Sequence, residues 1–183
     1  MPAIRSNNRL VRALIRASFY PTLYLNRLIC ASGWWNRWDW IDPHVAVGVL
    51  PTRRDLGKLS EAGVTAIVNL CLEYAGDESR LAALGITQFH LPTLDFHRPT
   101  PDDIGGAVDF VNQHIAAGQK VYIHCKAGRG RSVAIAMGYL MTAHKITAAQ
   151  AHQRIQKVRR QIDRDVPNNA YLLEFERRVL ADA

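Results

Sequence analysis

The segment 121–141 restricts the fold of this chain more than any other feature of the sequence. Residues 121–123 are β-branched or aromatic, which is typical of the end of a buried strand. After a loop that contains Gly128 and Gly130, the apolar stretch 132–141 has the composition and length of a buried helix. The sequence therefore predicts a strand, a tight glycine-containing loop and a helix in direct succession.

The loop between this strand and helix has the properties of a phosphate-binding site. A helix N-terminus presents free backbone N–H groups and the positive end of the helix dipole, and glycines allow such N–H groups to converge on one anion. Cys125 and Arg131 stand at the two ends of the loop. A thiolate is stabilised in this environment, and an arginine can donate two N–H groups to two phosphoryl oxygens. We therefore expect Cys125 to be a nucleophile and Arg131 to bind phosphate.

A buried, unreactive Cys125 behind a tight turn is the structural alternative, but it would explain neither the two glycines nor the strand–loop–helix context. The neighbouring residues also fit a catalytic loop. Ser132 can donate a hydrogen bond to the sulfur, and the imidazole of His124 can hold the loop. The backbone N–H groups of the loop are expected to bind the substrate, through Lys126, Ala127, Gly128, Arg129, Gly130 and Arg131.

The rest of the chain alternates between short β-branched runs and helical patterns. Strands are predicted over 45–49, 64–70, 86–91 and 121–124, and helices over 51–61, 78–84, 101–117, 131–144, 147–162 and 168–181. This alternation predicts a single α/β domain with a largely parallel, twisted sheet and helices on both faces. In such sheets a ligand binds beyond the carboxyl ends of the strands, where the loop 124–131 falls.

Asp95 is the candidate acid and base for a phosphate monoester hydrolase. Hydrolysis through a thiolate needs an acid to protonate the leaving oxygen and then a base to activate water. Asp95 follows the strand 86–91, whose carboxyl end should lie beside the Cys125 loop. It could instead cap a turn. Asp102 and Asp103 stand at a helix start, where N-capping explains them.

Residues 124–132, His-Cys-Lys-Ala-Gly-Arg-Gly-Arg-Ser, resemble the His-Cys-x5-Arg-Ser/Thr signature of the cysteine-dependent dual-specificity phosphatases. The residues Lys-Ala-Gly-Arg (126–129), between the cysteine and the arginine of the signature, are most similar to those of the mitochondrial-type phosphatidylglycerophosphate phosphatases of that family. The family's general acid is an aspartate that precedes the cysteine at an interval that Asp95 matches. The resemblance extends from about residue 19 to the C-terminus, through Phe-Tyr-Pro-Thr-Leu (19–23), Ile-Asp-Pro (41–43), Gly-Val-Leu-Pro (48–51) and Pro-Asn (167–168).

Residues 69–74, Asn-Leu-Cys-Leu-Glu-Tyr, resemble the acidic Asn-Glu-Glu-Tyr-Glu region that lines the pocket of these lipid phosphatases. A leucine and Ala75 replace two of the acidic positions. The resemblance implies that Glu73 and Tyr74 are pocket residues, whereas Cys71 is expected in the core.

The resemblance implies a phosphatase that converts phosphatidylglycerophosphate to phosphatidylglycerol through a phosphocysteine intermediate, with an anionic phospholipid substrate and no metal or other cofactor. A dual-specificity protein phosphatase or a phosphoinositide phosphatase would use the same chemistry. A non-catalytic phosphate-binding module is a third hypothesis. It is disfavoured because a pure binder needs neither the thiol of Cys125 nor the acid Asp95.

The basic N-terminus predicts a membrane surface as a partner. The net charge is +7, and residues 1–40 contain six arginines against a single acidic residue. We expect residues 1–31 to form a basic amphipathic segment, with Phe19 among its apolar contacts to an anionic membrane, separate from a catalytic domain over 32–183. The arginines and a break at Pro21 argue against a spanning helix. A transit peptide and a helix packed on the domain are the alternatives.

Two regions permit two interpretations each. The four tryptophans all lie within 34–40 and fit either a membrane interface or the closure of the core. A basic run near the C-terminus fits a solvated face or contacts with a second phosphate or an anionic membrane; it comprises Arg154, Lys157, Arg159, Arg160 and Arg164.

The remaining features concern nucleic-acid binding, the cellular compartment and the oligomeric state. No recognition helix, zinc ligand set or stacking platform supports nucleic-acid binding. Three cysteines without framework spacing indicate a reducing compartment. We expect a monomer that associates peripherally with a membrane and faces the bacterial cytoplasm or the mitochondrial matrix.

Overall fold

The computed structural model describes Ile15 and residues 17–181 of the 183-residue chain. Strands and helices alternate along it, as the sequence predicts. In chain order the elements are α1 (Phe19–Ala31), β1 (Trp38–Trp40), β2 (Val45–Gly48), α2 (Arg53–Glu61), β3 (Val64–Cys71), α3 (Glu78–Ala83), β4 (Thr87–Thr93), α4 (Pro101–Ala116), β5 (Lys120–His124), α5 (Arg131–His144), α6 (Ala148–Val158), a 3₁₀ turn (Val166–Asn168) and α7 (Ala170–Ala181).

The five strands form one sheet in the order β1-β2-β5-β3-β4. Strands β2, β5, β3 and β4 pair in parallel, and β1 pairs antiparallel with β2. Asn69 at the end of β3 lies opposite His124 of β5 on one side and His90 of β4 on the other. The carboxyl ends of these three strands therefore meet at one edge of the sheet. The predicted α/β domain with a largely parallel sheet is confirmed.

Both faces of the sheet are covered because successive strand residues point to opposite sides. Val68 and Ile123 face a core built with α4, α5, α6 and α7. The residues directly before these two, Ile67 and Tyr122, face a second core built with α2 and α3. Helix α5 lies deep in the first core and is buried from Arg131 to Met141.

Local sequence signals set most helix boundaries. Thr52, Thr100 and Thr147 each cap a helix through a capping box, in which the threonine side chain accepts from the third helical residue and that residue's side chain accepts from the threonine N–H. The helix predicted over 147–162 ends at Val158 instead. The reason is that Arg159 leaves the helical conformation, with φ −124° and ψ 91°, and its side chain turns into the protein.

Helix α1 packs on the domain. Phe19 and Leu23 are buried and contact Leu50 and Cys71, so Phe19, expected to contact a membrane, lies in the core instead. Helix α1 begins directly after Ser18, so Pro21 lies in its first turn. A proline there costs no helical hydrogen bond, because the N–H groups of the first turn have no partner within the helix. For residues 19–31 the structure matches the packed-helix alternative. The division of the chain at residue 31 stays a prediction.

The other N-terminal expectations are resolved in part. The predicted amphipathic residues 1–14 lie outside the described part of the chain. Within that part, no helix combines the length and the apolar character that crossing a membrane requires. The tryptophans of the cluster 34–40 have different environments. Trp38 and Trp40 belong to strand β1, which the sequence did not predict, and pack on the second core, whereas Trp34 is exposed.

Candidate active site

The Cys125 loop connects the end of β5 to the first residue of α5, at the sheet edge where the sequence predicts a ligand site. The loop lies directly on the end of β2. Gly128 has φ +65°, and a Cβ at this position would come within 2.5 Å of the carbonyl carbon and oxygen of Gly48. Only glycine combines this left-handed conformation with so close an approach to another backbone. The loop backbone therefore has one well-defined path.

The Cys125 sulfur is surrounded by groups that favour its thiolate. Its Sγ atom accepts a hydrogen bond from the N–H of Gly128 at 3.3 Å and lies 3.4 Å from the hydroxyl oxygen of Ser132. Burial raises the pKa of the thiol, but the charge of Arg131 and the hydrogen bonds from Ser132 and Gly128 outweigh it, so the pKa falls below its ordinary value. The structure therefore gives the Cys125 thiol a fixed position and a lowered pKa, and its role as the nucleophile stays a prediction.

Arg131 is held in place by the ends of two neighbouring strands. Its Nη1 donates to the carbonyl oxygens of Thr93, at 2.7 Å, and Leu70, at 3.3 Å, and its Nη2 donates to Asp95 Oδ1 at 2.8 Å. The side chain is 2% exposed. Burial disfavours its charge, but the nearby charges of Cys125 and Asp95 raise the pKa of Arg131 above its ordinary value. The guanidinium therefore stays cationic beside the sulfur.

Asp95 lies in the same cavity as Cys125. Its carboxylate forms ion pairs with Arg131 and with the ammonium group of Lys126. The competing carboxylates lie elsewhere: Asp103 accepts from the N–H of Thr100 and caps α4, and Asp102 pairs with Arg178. The structure thus brings Asp95 to the site, and its role as acid and base stays a prediction.

The side chain of Lys126, and not only its backbone N–H, belongs to the site. The ammonium group is buried, pairs with Asp95, and donates to the hydroxyl oxygen of Thr22 on α1 at 2.8 Å. The sequence predicts a role for the backbone N–H of Lys126 alone. Its side chain connects the N-terminal helix to the catalytic loop.

His124 is buried behind the loop. Burial lowers its pKa to about 3, and the backbone of Cys125 opposes this shift only in part. The imidazole is therefore neutral at physiological pH. It stacks on Tyr122 at 5.6 Å between ring centroids, and Tyr122 in turn donates to the carbonyl oxygen of Val49. His124 therefore supports the loop from inside the sheet.

Glu73 and Tyr74 take different positions. The Glu73 side chain is 6% exposed, and its carboxylate lies 3.9 Å from Nη1 of Arg131. Tyr74 instead packs against the cluster of Phe19 and Leu23 and lines a neighbouring groove along α1. The structure brings Glu73 to Arg131, and a substrate contact by either Glu73 or Tyr74 stays a prediction.

The basic run near the C-terminus is not entirely a solvated face, because Arg159 points into the protein. Its side chain is completely buried, pairs with Asp39 at 2.6 Å, and donates to the carbonyl oxygen of Gly128 at 2.8 Å. The other members of the run are exposed. Sequence reasoning could not single out Arg159, because Arg160 beside it is chemically identical.

The cavity over Cys125 has a volume of about 290 Å³. The Cys125 loop and Asp95 line one part of it, and Thr22, Leu25, Asn26 and Ile29 of α1 line another. Trp35 and Arg129 form a third side, with the guanidinium 5.0 Å from the indole ring centroid and 3.1 Å from Asp163. Across the described residues, no group of three or more histidine, cysteine and carboxylate side chains has an arrangement that could hold a metal ion.

Comparison with known proteins agrees with this site. The model of the dual specificity phosphatase catalytic domain matches residues 47–178. Phosphatidylglycerophosphate phosphatase PTPMT2 of Arabidopsis thaliana is 32% identical over 177 residues, which cover 91% of this chain and 76% of that protein. Phosphatidylglycerophosphatase and protein-tyrosine phosphatase 1 of Homo sapiens is 32% identical over 183 residues, covering 93% of this chain and 90% of that protein. A crystal structure of PTPMT1 in complex with PI(5)P is similar with a TM-score of 0.75 and 28% identity, over 80% of this chain and 99% of that one.

Proposed function

Because the chain belongs to the dual-specificity phosphatase family, we propose that it hydrolyses phosphatidylglycerophosphate to phosphatidylglycerol and phosphate at a membrane surface. One observation carries this proposal: the cavity that contains Cys125, Arg131 and Asp95 is also lined by Leu25 and Ile29, two apolar residues of the N-terminal helix. A phosphate monoester attached to a lipid needs both a cationic end and an apolar wall.

In the first step of the proposed reaction, the Cys125 thiolate attacks phosphorus and the bond from phosphorus to the glycerol oxygen breaks. Asp95 gives its proton to that leaving oxygen. Arg131 and the loop N–H groups stabilise the negative charge on the phosphoryl oxygens, which is where phosphoryl transfer requires most assistance. The product of this step is a phosphocysteine and a free lipid alcohol.

In the second step, water attacks the phosphocysteine and Asp95 accepts a proton from it. The bond between phosphorus and sulfur breaks, and the Cys125 thiolate leaves. Ser132 stabilises this thiolate, since its hydroxyl lies 3.4 Å from the sulfur. Inorganic phosphate is released and the enzyme returns to its starting state.

The choice of a phosphatidylglycerophosphate substrate is supported by the two relatives named for that activity. Glu73 supports it as well, since it lies beside Arg131 in the segment that resembles the pocket region of the lipid phosphatases. Phosphoinositides are a second candidate because PTPMT1 has been crystallised with PI(5)P. A protein substrate is a third, because the human relative is also named as a protein-tyrosine phosphatase.

Membrane association is supported by exposed apolar side chains near the cavity mouth. Leu25 of α1 and Phe96 line the cavity and are exposed. Leu28, one helical turn after Leu25, and Trp34 are exposed as well. We call these four residues the apolar rim. A rim of this kind, on a chain with a net charge of +7, fits an anionic bilayer. The three free cysteines suit a reducing compartment such as the bacterial cytoplasm or the mitochondrial matrix.

The substrate is tested by measuring phosphate release from phosphatidylglycerophosphate in vesicles, from phosphoinositide vesicles and from a phosphotyrosine peptide, side by side. We expect the highest kcat/KM on phosphatidylglycerophosphate. The Cys125→Ser variant is the control for phosphate release that does not depend on the thiolate. A phosphotyrosine peptide hydrolysed faster than either lipid would contradict the proposal and favour the protein phosphatase.

The membrane surface is tested by sedimentation with anionic vesicles. Leu28→Glu and Trp34→Glu should each weaken vesicle binding and lipid hydrolysis while activity on a small soluble aryl phosphate is kept, because neither residue lines the cavity. Leu173→Glu is the matched control, since Leu173 is an exposed leucine on α7, outside the rim. Equal vesicle binding by all of these proteins would exclude the rim as the membrane contact.

A further inference from the structure

We infer that Thr22 and Lys126 are positioning residues for Asp95, so that helix α1 takes part in the chemical step. The inference rests on the proposed role of Asp95 as the general acid. It assigns to the N-terminal helix a function in proton transfer, in addition to the wall that it forms beside the site.

The contacts form a continuous chain from α1 to the acid. The hydroxyl group of Thr22 donates to the carbonyl oxygen of Ser18 at 2.6 Å, which fixes the orientation of the Thr22 side chain. The same hydroxyl oxygen accepts from the ammonium group of Lys126 at 2.8 Å, and this ammonium pairs with Asp95 Oδ2. The position of the Asp95 carboxylate therefore depends on a side chain of α1.

The environment of the ammonium group makes this connection specific. The Lys126 side chain is 6% exposed, and the aromatic rings of Phe19 and Phe96 each lie 5.6 Å from its nitrogen. A cation between aromatic faces and shielded from water interacts strongly with its remaining polar partners. Thr22 and Asp95 are the two polar partners of this nitrogen among the described contacts.

Lys126 becomes more important once substrate is bound. Asp95 has a second cationic partner in Arg131, but Arg131 is also the proposed phosphate-binding residue. As phosphoryl oxygens take up the donors of Arg131, the Lys126 contact is the one that keeps Asp95 directed at the cavity. A general acid has to lie within hydrogen-bonding distance of the oxygen that it protonates, so the loss of this contact should slow the proton-dependent step.

The first test replaces the acceptor on α1. Thr22→Val removes the hydroxyl and keeps the shape of the side chain, and Thr22→Ser restores the hydroxyl. Each variant is assayed on aryl phosphates that range from nitrophenyl, a good leaving group, to unsubstituted phenyl, a poor one. We expect Thr22→Val to lose about 10-fold in kcat/KM, which reports only the step that releases the leaving group, on the poor leaving group and little on the good one, as part of the roughly 10²–10⁴-fold effect of a positioned acid. Thr22→Ser should resemble the wild type.

The second test is a double-mutant cycle with Asp95→Asn. If Thr22 acts through Asp95, adding Thr22→Val to Asp95→Asn causes no further loss. Tyr24→Ala, an exposed change on the same helix outside the apolar rim, is the matched control, and melting temperatures show whether each variant is folded. If Thr22→Val is unfolded, the same cycle is run with Lys126→Met.

The outcomes separate the inference from the proposed function. An equal loss on all leaving groups by Thr22→Val, or a further loss in the double variant, would overturn the inference and indicate a structural role. A loss in Asp95→Asn that is the same for good and poor leaving groups would overturn the proposed acid itself. Because soluble aryl phosphates are used, neither result depends on the identity of the lipid.

Discussion

Removal of the Arg159 side chain should destabilise the protein and displace the catalytic loop. Arg159 is completely buried and pairs with Asp39, whose side chain is 9% exposed. The substitution Arg159→Met keeps much of the volume but leaves Asp39 Oδ2 and the Gly128 carbonyl oxygen without their donor, and the Asp39 carboxylate without its cation. Leaving one partner of a buried ion pair unpaired costs about 3–5 kcal/mol. For a chain of this length each kcal/mol lowers the melting temperature by about 2–4 °C, so we expect a decrease of roughly 6–20 °C.

The activity of the same variant should fall as well, because Arg159 holds Gly128, and the N–H of Gly128 donates to Cys125. A displacement of about 1 Å in a catalytic group can reduce the rate by about 10²-fold. The assays are thermal unfolding by circular dichroism and hydrolysis of a soluble aryl phosphate. Arg160→Met is the matched control, since an exposed substitution usually changes stability by less than about 0.5 kcal/mol.

Two results decide whether this reasoning is correct. Adding Asp39→Asn to Arg159→Met should recover part of the lost stability, because the unpaired buried charge is then removed. A melting temperature for Arg159→Met within about 2 °C of that of Arg160→Met would refute the reasoning, since this is less than 1 kcal/mol on the same scale.

Four further predictions concern the catalytic loop and α1. Cys125→Ser should abolish turnover yet still bind inorganic phosphate, measured by calorimetry; turnover like that of the wild type would exclude covalent catalysis. Arg131→Lys should lose most of its activity because an ammonium cannot form the bidentate contact, unless Arg129 binds the phosphate. The lowered pKa of Cys125 predicts alkylation by iodoacetate at a lower pH than Cys71 or Cys30 requires, and Ser132→Ala should shift this reaction to higher pH, followed by mass spectrometry. A chain that starts at residue 32 should lose activity even on soluble aryl phosphates, because it lacks the buried Phe19 and Leu23 as well as Thr22; full activity would restrict α1 to localisation.

Features encoded by neighbouring residues could be predicted from the sequence. The strand before Cys125, the helix after it and the capping boxes depend on side chains a few positions apart. The placement of Asp95 beside Cys125 also followed, because parallel strands bring their carboxyl ends to one edge.

Contacts between distant residues could not be predicted. Lys126 and Thr22 are 104 positions apart, and Arg159 and Asp39 are 120 positions apart. Nothing in the local pattern distinguishes a lysine that points into the protein from one that points to solvent. Strand β1 was missed for a related reason: its tryptophans fit a membrane interface as well as they fit a sheet edge.

The contact between Gly128 and Gly48 has a consequence for the dynamics of the site. Loops that rest on side chains can shift when a rotamer changes, but here backbone lies against backbone, and the buried Arg159 donates to the carbonyl oxygen of Gly128. The loop therefore has no deformable layer beneath it. Its fluctuations on the picosecond-to-nanosecond scale are expected to follow those of the central strands, with NMR order parameters of about 0.85, the value of a rigid backbone. We therefore expect the Cys125 thiol to be as immobile as the sheet that supports it.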